Sequence, residues 1–234
     1  MKGMILAAGL GTRLKPWTDH HPKALALVNG KPLLQRNVEY LTSFGIKDIV
    51  VNVHHFSDQI ISTIEQKNGW GSNIVISDET DEVLETGGGL KKAESLLSSS
   101  SPFVVMNADI LTTLDIRLML EYHQQKNPLA TLAVTSRETS RYFLFDDTNR
   151  LCGWMNQHTG ETKGLPGNKA AFSGVHIISP QIFSLITETG KFSLVDVYLR
   201  LSVDHSIMAF DHSNTHLIDV GKPESIAKAE KIFF

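Results

Sequence analysis

The sequence predicts an α/β fold with a doubly wound, mostly parallel β-sheet. Short apolar runs alternate along the chain with amphipathic segments that have the period of a helix. The first run, MILAA at residues 4–8, shows no polar alternation, as expected of a strand that is buried on both faces. Glycines or polar residues follow several of the runs, at the strand ends where ligands bind in sheets of this kind. This order favours parallel strands joined by right-handed crossovers.

The alternation of strand and helix continues to residue 137. After the first strand, predicted strands cover residues 46–53, 73–78, 102–109 and 129–136. Predicted helices cover residues 32–44, 57–67, 87–97 and 114–126. Gly45 lies where the first helix should stop, and Ser57 is expected to cap the second. The serine run at 98–101 predicts a polar loop.

The pattern changes after residue 137. Residues 142–157 predict a hairpin with its turn at 146–150, and 158–169 form a polar loop whose composition suits a flap. A strand at 170–179, a helix at 180–187 and a final strand and helix within 216–233 complete the chain. We expect one domain over residues 1–234, made of a first half (1–137) and a second half (138–234).

Composition excludes several classes of protein. Hydrophobic residues make up 41% and charged residues 20% of the chain, as in soluble globular proteins, and the net charge of −3 provides no basic field for nucleic acid. The single cysteine, Cys152, rules out an intramolecular disulfide and a cysteine-based zinc cluster. No apolar run approaches the roughly 20 residues that a membrane helix needs. We expect a cytoplasmic protein without nucleic-acid or membrane partners.

The segment that follows the first strand contains Gly9, Gly11, Thr12 and Arg13. Glycines let backbone N–H groups approach a phosphate chain, and an arginine adds a permanent fork of donors. A turn with a surface arginine is the other interpretation. The Walker spacing is absent, and Leu14 replaces the third glycine of a dinucleotide fingerprint.

Three further charged residues stand out. Lys23 follows a proline and could meet the α-phosphate of a nucleotide, although a lone lysine in such a place is far more typical of a solvated surface. Asp109 and Asp219 each end a predicted strand. Two such carboxylates suit one Mg²⁺, whereas either alone could cap a turn.

A set of segments together resembles the signature of the sugar-1-phosphate nucleotidyltransferases. In chain order they are AAGLGTRLKP (7–16) with PK (22–23), NGKPLLQ (29–35), LETGGG (84–89), NAD (107–109), FSGVHI (172–177) and DVGKPE (219–224). LETGGG and the chain length most resemble the N-acetylmuramate-1-phosphate uridylyltransferases, with heptose- and mannose-1-phosphate guanylyltransferases close behind.

The resemblance implies a Rossmann-like, GT-A-like nucleotidyltransferase fold in which residues 1–137 bind the nucleotide and residues 138–234, with a small hairpin subregion, bind the sugar phosphate. It implies Mg²⁺-dependent transfer of a nucleotidyl group from a nucleoside triphosphate to a sugar 1-phosphate, giving a nucleotide-sugar and pyrophosphate. The expected pair of substrates is UTP and N-acetylmuramate 1-phosphate. The matching catalytic residues are Arg13 and Lys23, and the matching Mg²⁺ ligands are Asp109 and Asp219. The matching nucleotide-binding residues are Leu6, Ala8, Gly9, Gly11, Thr12, Arg13, Lys23, Thr86, Gly87 and Asn107. The matching sugar-phosphate-binding residues are Asn107, Ser173 and Gly174.

The chain departs from the family pattern at two positions. Ala108 stands where relatives often have glycine, and Ala24 stands where many have proline or glutamine. Neither change removes a charge that the reaction requires. Two other functions remain open: a catalytically silent sugar-phosphate or nucleotide sensor on the same fold, and a nicotinamide-dependent dehydrogenase. The second lacks the third glycine and an acidic residue after the next strand, which ends at Val53 and His54.

Overall fold

The computed structural model describes residues 1–98 and 101–234, so half of the 98–101 serine run lies outside the described residues. The strands are β1 Gly3–Leu6, β2 Leu27–Val28, β3 Lys31–Pro32, β4 Asp48–Val53, β5 Asn73–Asp78, β6 Phe103–Asn107, β7 Ile110–Thr112, β8 Ala130–Thr135, β9 Arg141–Phe145, β10 Leu151–Asn156, β11 Thr162–Gly164, β12 Asn168–Ile178, β13 Ile207–Asp211 and β14 Leu217–Asp219. The helices are α1 Leu33–Ser43, α2 Ser57–Gln66, α3 Glu85–Lys92, α4 Glu94–Leu97, α5 Ile116–Lys126, α6 Ile182–Leu185, α7 Leu194–Leu201 and α8 Pro223–Glu230.

The centre of the sheet is parallel, as the sequence predicts. Strand β1 lies between β4 and β6, and β4 continues to β5, with parallel pairing throughout. Met4 and Ile5 in β1 are fully buried and belong to two different core clusters, one on each face of the sheet. The unbroken apolar run at residues 4–8 therefore predicted correctly that this strand is buried on both faces, because helices cover both sides of the sheet. The predicted α/β class with a mostly parallel sheet is confirmed.

The second half of the chain extends the same sheet with antiparallel pairings. Strand β12 lies antiparallel to β6, and one part of β12 also pairs with β8 while its first residues pair with β9. The predicted fifth strand, β8, therefore exists but is separated from the parallel centre by β12. Strand β13, which the sequence analysis missed, pairs with β8 in parallel. The hairpin of β9 and β10 forms where expected.

Some predicted boundaries are wrong for identifiable reasons. The helix predicted over 87–97 begins two residues earlier, at Glu85, and is divided at Ala93 into α3 and α4. Helix α2 has no side-chain cap, because Phe56 adopts a left-handed conformation (φ 53°) and Ser57 is already the first helical residue. Part of the 158–169 loop is sheet, since β11 pairs with β10. Helix α7, also missed, is capped by the Ser193 side chain.

A short antiparallel ribbon of β7 and β14 links the two halves of the chain beside the sheet edge. Its register places Asp219 opposite Ile110, the residue after Asp109. Across residues 1–98 and 101–234, no helix combines the length and apolar character needed to cross a bilayer.

Candidate active site

A cavity of about 340 Å³ opens at the carboxyl ends of the parallel strands, the edge where α/β sheets bind ligands. Nucleotide-binding candidates from the sequence that line it are Leu6, Ala8, Gly9, Gly11, Thr12, Arg13, Lys23, Thr86 and Asn107. The metal candidate Asp109 also lines it. Residues that the sequence analysis did not select are Ala7, Ala24, Asn52, Val83, Glu85 and Ala108. The candidates from the first half of the chain, apart from Gly87, thus line one cavity.

Gly11 brings the two catalytic candidates to the same wall of this cavity. Its φ of +64° is one that side chains rarely adopt, and a Cβ atom there would lie 2.9 Å from Lys23 Cβ and 3.0 Å from Thr18 Cγ2. The Gly11 carbonyl accepts hydrogen bonds from Leu14 N and Thr18 Oγ1, both at 2.9 Å. The turn therefore requires a glycine at position 11, and both Arg13 and Lys23 line the cavity.

Lys23 and Asp109 form an ion pair at the cavity wall. Their side chains are only 13% and 22% exposed, so each offsets the cost of partly burying the other. The strand end that carries Asp109 is held from behind, because Asn37 Nδ2 donates to the Ala108 carbonyl at 2.9 Å. The lysine expected to bind phosphate and the carboxylate expected to bind the metal thus pair with each other in this structure.

Arg13 and Asp219 make a looser pair at the rim. Arg13 Nη2 lies 3.7 Å from Asp219 Oδ2, and both side chains are about half exposed, so the pair adds little stability. Gly221 makes room for it, since a Cβ atom there would lie 2.6 Å from both Arg13 Nη2 and Asp219 Oδ1. Asp219 itself does not belong to the cavity lining.

The two candidate metal ligands are neighbours through the backbone. Besides the register of Asp219 with Ile110, Val220 N donates to the Asp109 carbonyl at 2.8 Å. Carboxylate oxygens are ligands that Mg²⁺ accepts, usually one or two from the protein with the rest from water and substrate phosphates. No group of three or more His, Cys, Asp or Glu side chains suited to a metal occurs among the residues that the structure describes. The donor set therefore fits a metal that arrives with a polyphosphate.

Asn52 and Glu79, which the sequence analysis missed, organise the end of the cavity where we expect a nucleoside. Asn52 Oδ1 accepts from Ala7 N at 2.7 Å, and Asn52 Nδ2 donates to Glu79 Oε1 at 2.8 Å. Leu84 N donates to Glu79 Oε2 at 3.4 Å, so this carboxylate connects the first loop with the LETGGG segment. The available signal was an asparagine within the apolar strand IVVNV and an acidic residue directly after β5.

Glu79 has no solvent exposure, and burial raises the pKa of its carboxyl although Asn52 and Leu84 oppose the change. The helix beyond it comes unusually close, because a Cβ atom on Gly89 would lie 2.6 Å from Glu79 Oε1. Burying a carboxylate is costly, and the hydrogen bonds from Asn52 and Leu84 offset part of that cost.

The glycines of LETGGG pack against another segment. A side chain on Gly87 would overlap the Phe192 ring, and the Gly87 and Gly88 N–H groups donate to the Phe192 carbonyl at 2.9 and 3.3 Å. The Thr86 hydroxyl accepts from Leu194 N at 3.0 Å. Thr86 lines the cavity, whereas Gly87, which the sequence analysis also selected, does not.

Ser173 is fully buried, and its hydroxyl lies 2.7 Å from His212 Nε2. The Thr215 hydroxyl donates to the His212 carbonyl and must accept from His212 Nδ1 at 2.7 Å. His212 Nε2 therefore accepts the Ser173 proton. Burial lowers the pKa of His212 to about 4, so this neutral form is the one present near neutral pH. The Ser173 hydroxyl therefore has no proton to donate to a sugar phosphate, and only the backbone of Ser173 could contact one.

Gly174 lies in the irregular part of β12, between Phe172 and His176, where pairing with β8 shifts register. Its φ is +74°, and a Cβ atom there would lie 2.8 Å from Ile110 Cγ1 and 2.9 Å from Asn107 Nδ2. The glycine therefore lets β12 approach the strand end that carries Asn107 and Asp109. Neither Ser173 nor Gly174 lines the nucleotide cavity.

Comparison with known proteins agrees with this geometry. Residues 2–145 match the profile of a family described as Nucleotidyl transferase. The chain belongs to this family. The resemblance stated from the sequence motifs is thereby confirmed, and the matched region contains the whole lining of the cavity.

Similar proteins and solved structures align with nearly all of the chain. A mannose-1-phosphate guanyltransferase from Yarrowia lipolytica is 32% identical over 96% of this chain, which spans 61% of that relative. An N-acetylmuramate alpha-1-phosphate uridylyltransferase from Caulobacter vibrioides is 32% identical over 97% of this chain and 94% of its own length. The structure of HddC from Yersinia pseudotuberculosis complexed with GMP-PN superposes with a TM-score of 0.77 at 28% identity, covering 100% and 99% of the two chains.

Proposed function

We propose that this chain transfers a uridylyl group from UTP to N-acetylmuramate 1-phosphate, giving a nucleotide-sugar and pyrophosphate with Mg²⁺ as cofactor. The observation that carries the proposal is that Arg13 and Lys23 line one cavity and each pairs with a strand-end carboxylate, Lys23 with Asp109 in the cavity wall and Arg13 with Asp219 at the rim. A triphosphate needs cations along its length, and a metal between two phosphates needs carboxylate ligands.

The proposed reaction requires alignment and charge neutralisation more than a chemical group from the protein. An oxygen of the sugar 1-phosphate attacks the α-phosphorus, the bond from that phosphorus to the α–β bridging oxygen breaks, and pyrophosphate leaves with the bonding electrons. Lys23 and Arg13 stabilise charge on the phosphates, while Asp109 and Asp219 would hold Mg²⁺. When bound, the ion lowers repulsion between the two anionic substrates.

Binding must rearrange the ion pairs of the free protein. Lys23 has to release Asp109 at least in part to contact the α-phosphate, and Arg13 has to turn from Asp219 towards the triphosphate. Asn52 and the Ala7–Gly9 backbone would hold the nucleoside, with Thr86 opposite. On this proposal the reaction takes place in the cytoplasm, residues 1–137 serve the nucleotide, and residues 138–234 serve the sugar phosphate.

The choice of UTP and N-acetylmuramate 1-phosphate is supported by LETGGG and by the Caulobacter vibrioides relative, whose full length this chain nearly matches. A guanylyl transfer to mannose or heptose 1-phosphate is the second candidate. It is favoured by the Yarrowia lipolytica relative and by the neighbouring structure with a guanine nucleotide.

Pyrophosphate release across a grid of nucleoside triphosphates and sugar 1-phosphates tests the proposal. We expect the largest kcat/KM for UTP with N-acetylmuramate 1-phosphate, and loss of release in EDTA with recovery on adding excess Mg²⁺. A maximum with GTP and mannose 1-phosphate would select the second candidate. Tight nucleotide binding without pyrophosphate release from any pair would instead indicate the sensor.

A further inference from the structure

A third arginine lies where the sugar-phosphate half meets the metal carboxylates. Arg137 follows β8, is exposed to solvent, and donates from Nη2 to the Phe172 carbonyl at 2.8 Å. Phe172 directly precedes the irregular Ser173–Gly174 segment of β12. The guanidinium is therefore anchored to the backbone beside that segment, and most of its five N–H donors remain outside this bond.

A chain of contacts connects this anchor to the candidate metal ligands. Gly174 packs against Asn107 and Ile110, and Ile110 pairs with Asp219. The negative charge of Asp219 also acts on Arg137. The partial burial of the guanidinium lowers its pKa, whereas Asp219 and Tyr142 oppose this change. In turn, the positive charge of Arg137 contributes to the lowered pKa of His212. Arg137 thus lies among β12, Tyr142 and the Asp219 side of the site.

Asp219 is consequently approached by two arginines that come from different parts of the fold. Arg13 reaches it from the nucleotide cavity and lies 3.7 Å away. Arg137 reaches the same region from the β8–β12 side. The proposed reaction brings two phosphate-bearing substrates together, so each needs a cation of its own. The Ser173 hydroxyl does not supply a donor, because it is committed to His212.

We propose that Arg137 binds the phosphate of the sugar 1-phosphate and presents its attacking oxygen on the Asp219 side, opposite Arg13. The guanidinium fork suits bidentate contact with a phosphate, which a lysine ammonium does not reproduce. The inference rests on the proposed function and adds to it a substrate-binding residue that the sequence motifs did not select.

Steady-state kinetics of Arg137→Gln and Arg137→Lys test the role, with both KM values measured separately. Loss of a charged phosphate contact should raise KM for the sugar 1-phosphate by about 10- to 100-fold in Arg137→Gln. KM for the nucleotide should stay within about twofold, because Arg13 and Lys23 are untouched. In Arg137→Lys, KM for the sugar 1-phosphate should lie between the values of the wild type and Arg137→Gln, because lysine keeps the charge but lacks the fork of N–H donors.

Arg117→Gln is the matched control, because Arg117 is also exposed but pairs with Asp115 on helix α5. It should change neither KM, and thermal unfolding should show all variants folded. The assignment would be overturned if Arg137→Gln left KM for the sugar phosphate unchanged, or raised KM for the sugar phosphate and for the nucleotide equally.

Calorimetric titration with N-acetylmuramate 1-phosphate and mannose 1-phosphate separates this inference from the proposed function. An inactive wild-type protein would contradict the proposed transfer. Arg137 would still be supported if Arg137→Gln weakened binding of either sugar phosphate, and it would be contradicted if both proteins bound equally or neither bound.

Discussion

Lys23 and Asp109 contact each other across the candidate active site, although the sequence motifs place one on the triphosphate and the other on the metal. Arg13 and Asp219 repeat the arrangement more loosely at the rim. On the proposed roles, the two cations that would bind the triphosphate are paired, in the free protein, with the two carboxylates that would bind Mg²⁺. Binding of the nucleotide would draw the cations away and free the carboxylates for the metal, and binding of the metal would free the cations for the nucleotide. Metal and nucleotide should therefore favour each other's binding.

Removing either member of the partly buried Lys23–Asp109 pair should abolish most activity. We expect Lys23→Ala and Asp109→Ala to lower kcat by roughly 10²- to 10³-fold, the usual cost of losing a group that stabilises transition-state charge. Pyrophosphate release measures the effect, and circular dichroism checks the fold. Lys31→Ala is the control, since Lys31 pairs with the exposed Glu39 at 2.8 Å. Near-normal rates in either site variant would contradict the assigned roles.

Replacing Lys23 should strengthen metal binding in the absence of nucleotide, although it lowers activity. Lys23→Met removes the cation that competes for Asp109, so the free variant should bind Mn²⁺ more tightly than the wild type even though its turnover falls. Electron paramagnetic resonance of unbound Mn²⁺ gives the affinity. Equal or weaker Mn²⁺ binding in Lys23→Met would show that Lys23 does not compete with the ion. Asp109→Asn should weaken binding in the same titration.

Gly221→Ala tests the rim pair. The added methyl group would come within 2.6 Å of Arg13 Nη2 and Asp219 Oδ1, so one of these side chains must move. We expect kcat/KM to fall by roughly 10- to 100-fold, because small displacements of positioning groups are costly. The neighbouring exposed residue provides the control Lys222→Ala. A fully active Gly221→Ala would show that the Arg13–Asp219 geometry is unimportant.

Glu79→Gln should change the pH dependence of stability. Burial raises the pKa of Glu79 in the folded protein, so the unfolded chain loses this proton at lower pH than the native state does. The wild type therefore loses stability as pH rises from the ordinary glutamate pKa through the raised value. Urea unfolding at pH 4, 6 and 8 should show Glu79→Gln gaining stability relative to the wild type as pH rises. A constant difference would contradict the raised pKa.

The same position should affect nucleotide binding. Glu79→Leu removes the acceptor for Asn52 and Leu84, which hold both walls of the nucleoside end. KM for the nucleotide should rise more than KM for the sugar phosphate, while Glu79→Gln, which keeps an acceptor for Asn52, should restore part of the affinity. Equal changes in both KM values would point to general destabilisation instead.

Local features of the sequence were sufficient for the parallel centre of the sheet and for most of one cavity wall. The unbroken apolar run at residues 4–8 requires burial on both faces, and Gly9 to Arg13 follow it directly, so their place at a strand end depends only on nearby residues. Lys23 is close enough in sequence to return to the same turn. Strand β13 and helix α7 were missed because their patterns are short and their pairing partners lie far along the chain.

The sequence by itself determined the fold class, the family signature and the types of charge gathered at the site. Only the tertiary structure decided which charges meet: the β7–β14 ribbon brings Asp219 beside Asp109, β12 buries Ser173 against His212, and β5 places Glu79 beneath Asn52. Contacts of this kind depend on strand order and register between distant segments, and local periodicity carries no record of either. For the same reason Arg137, inconspicuous in the sequence, became a candidate only once β8 was seen beside β12.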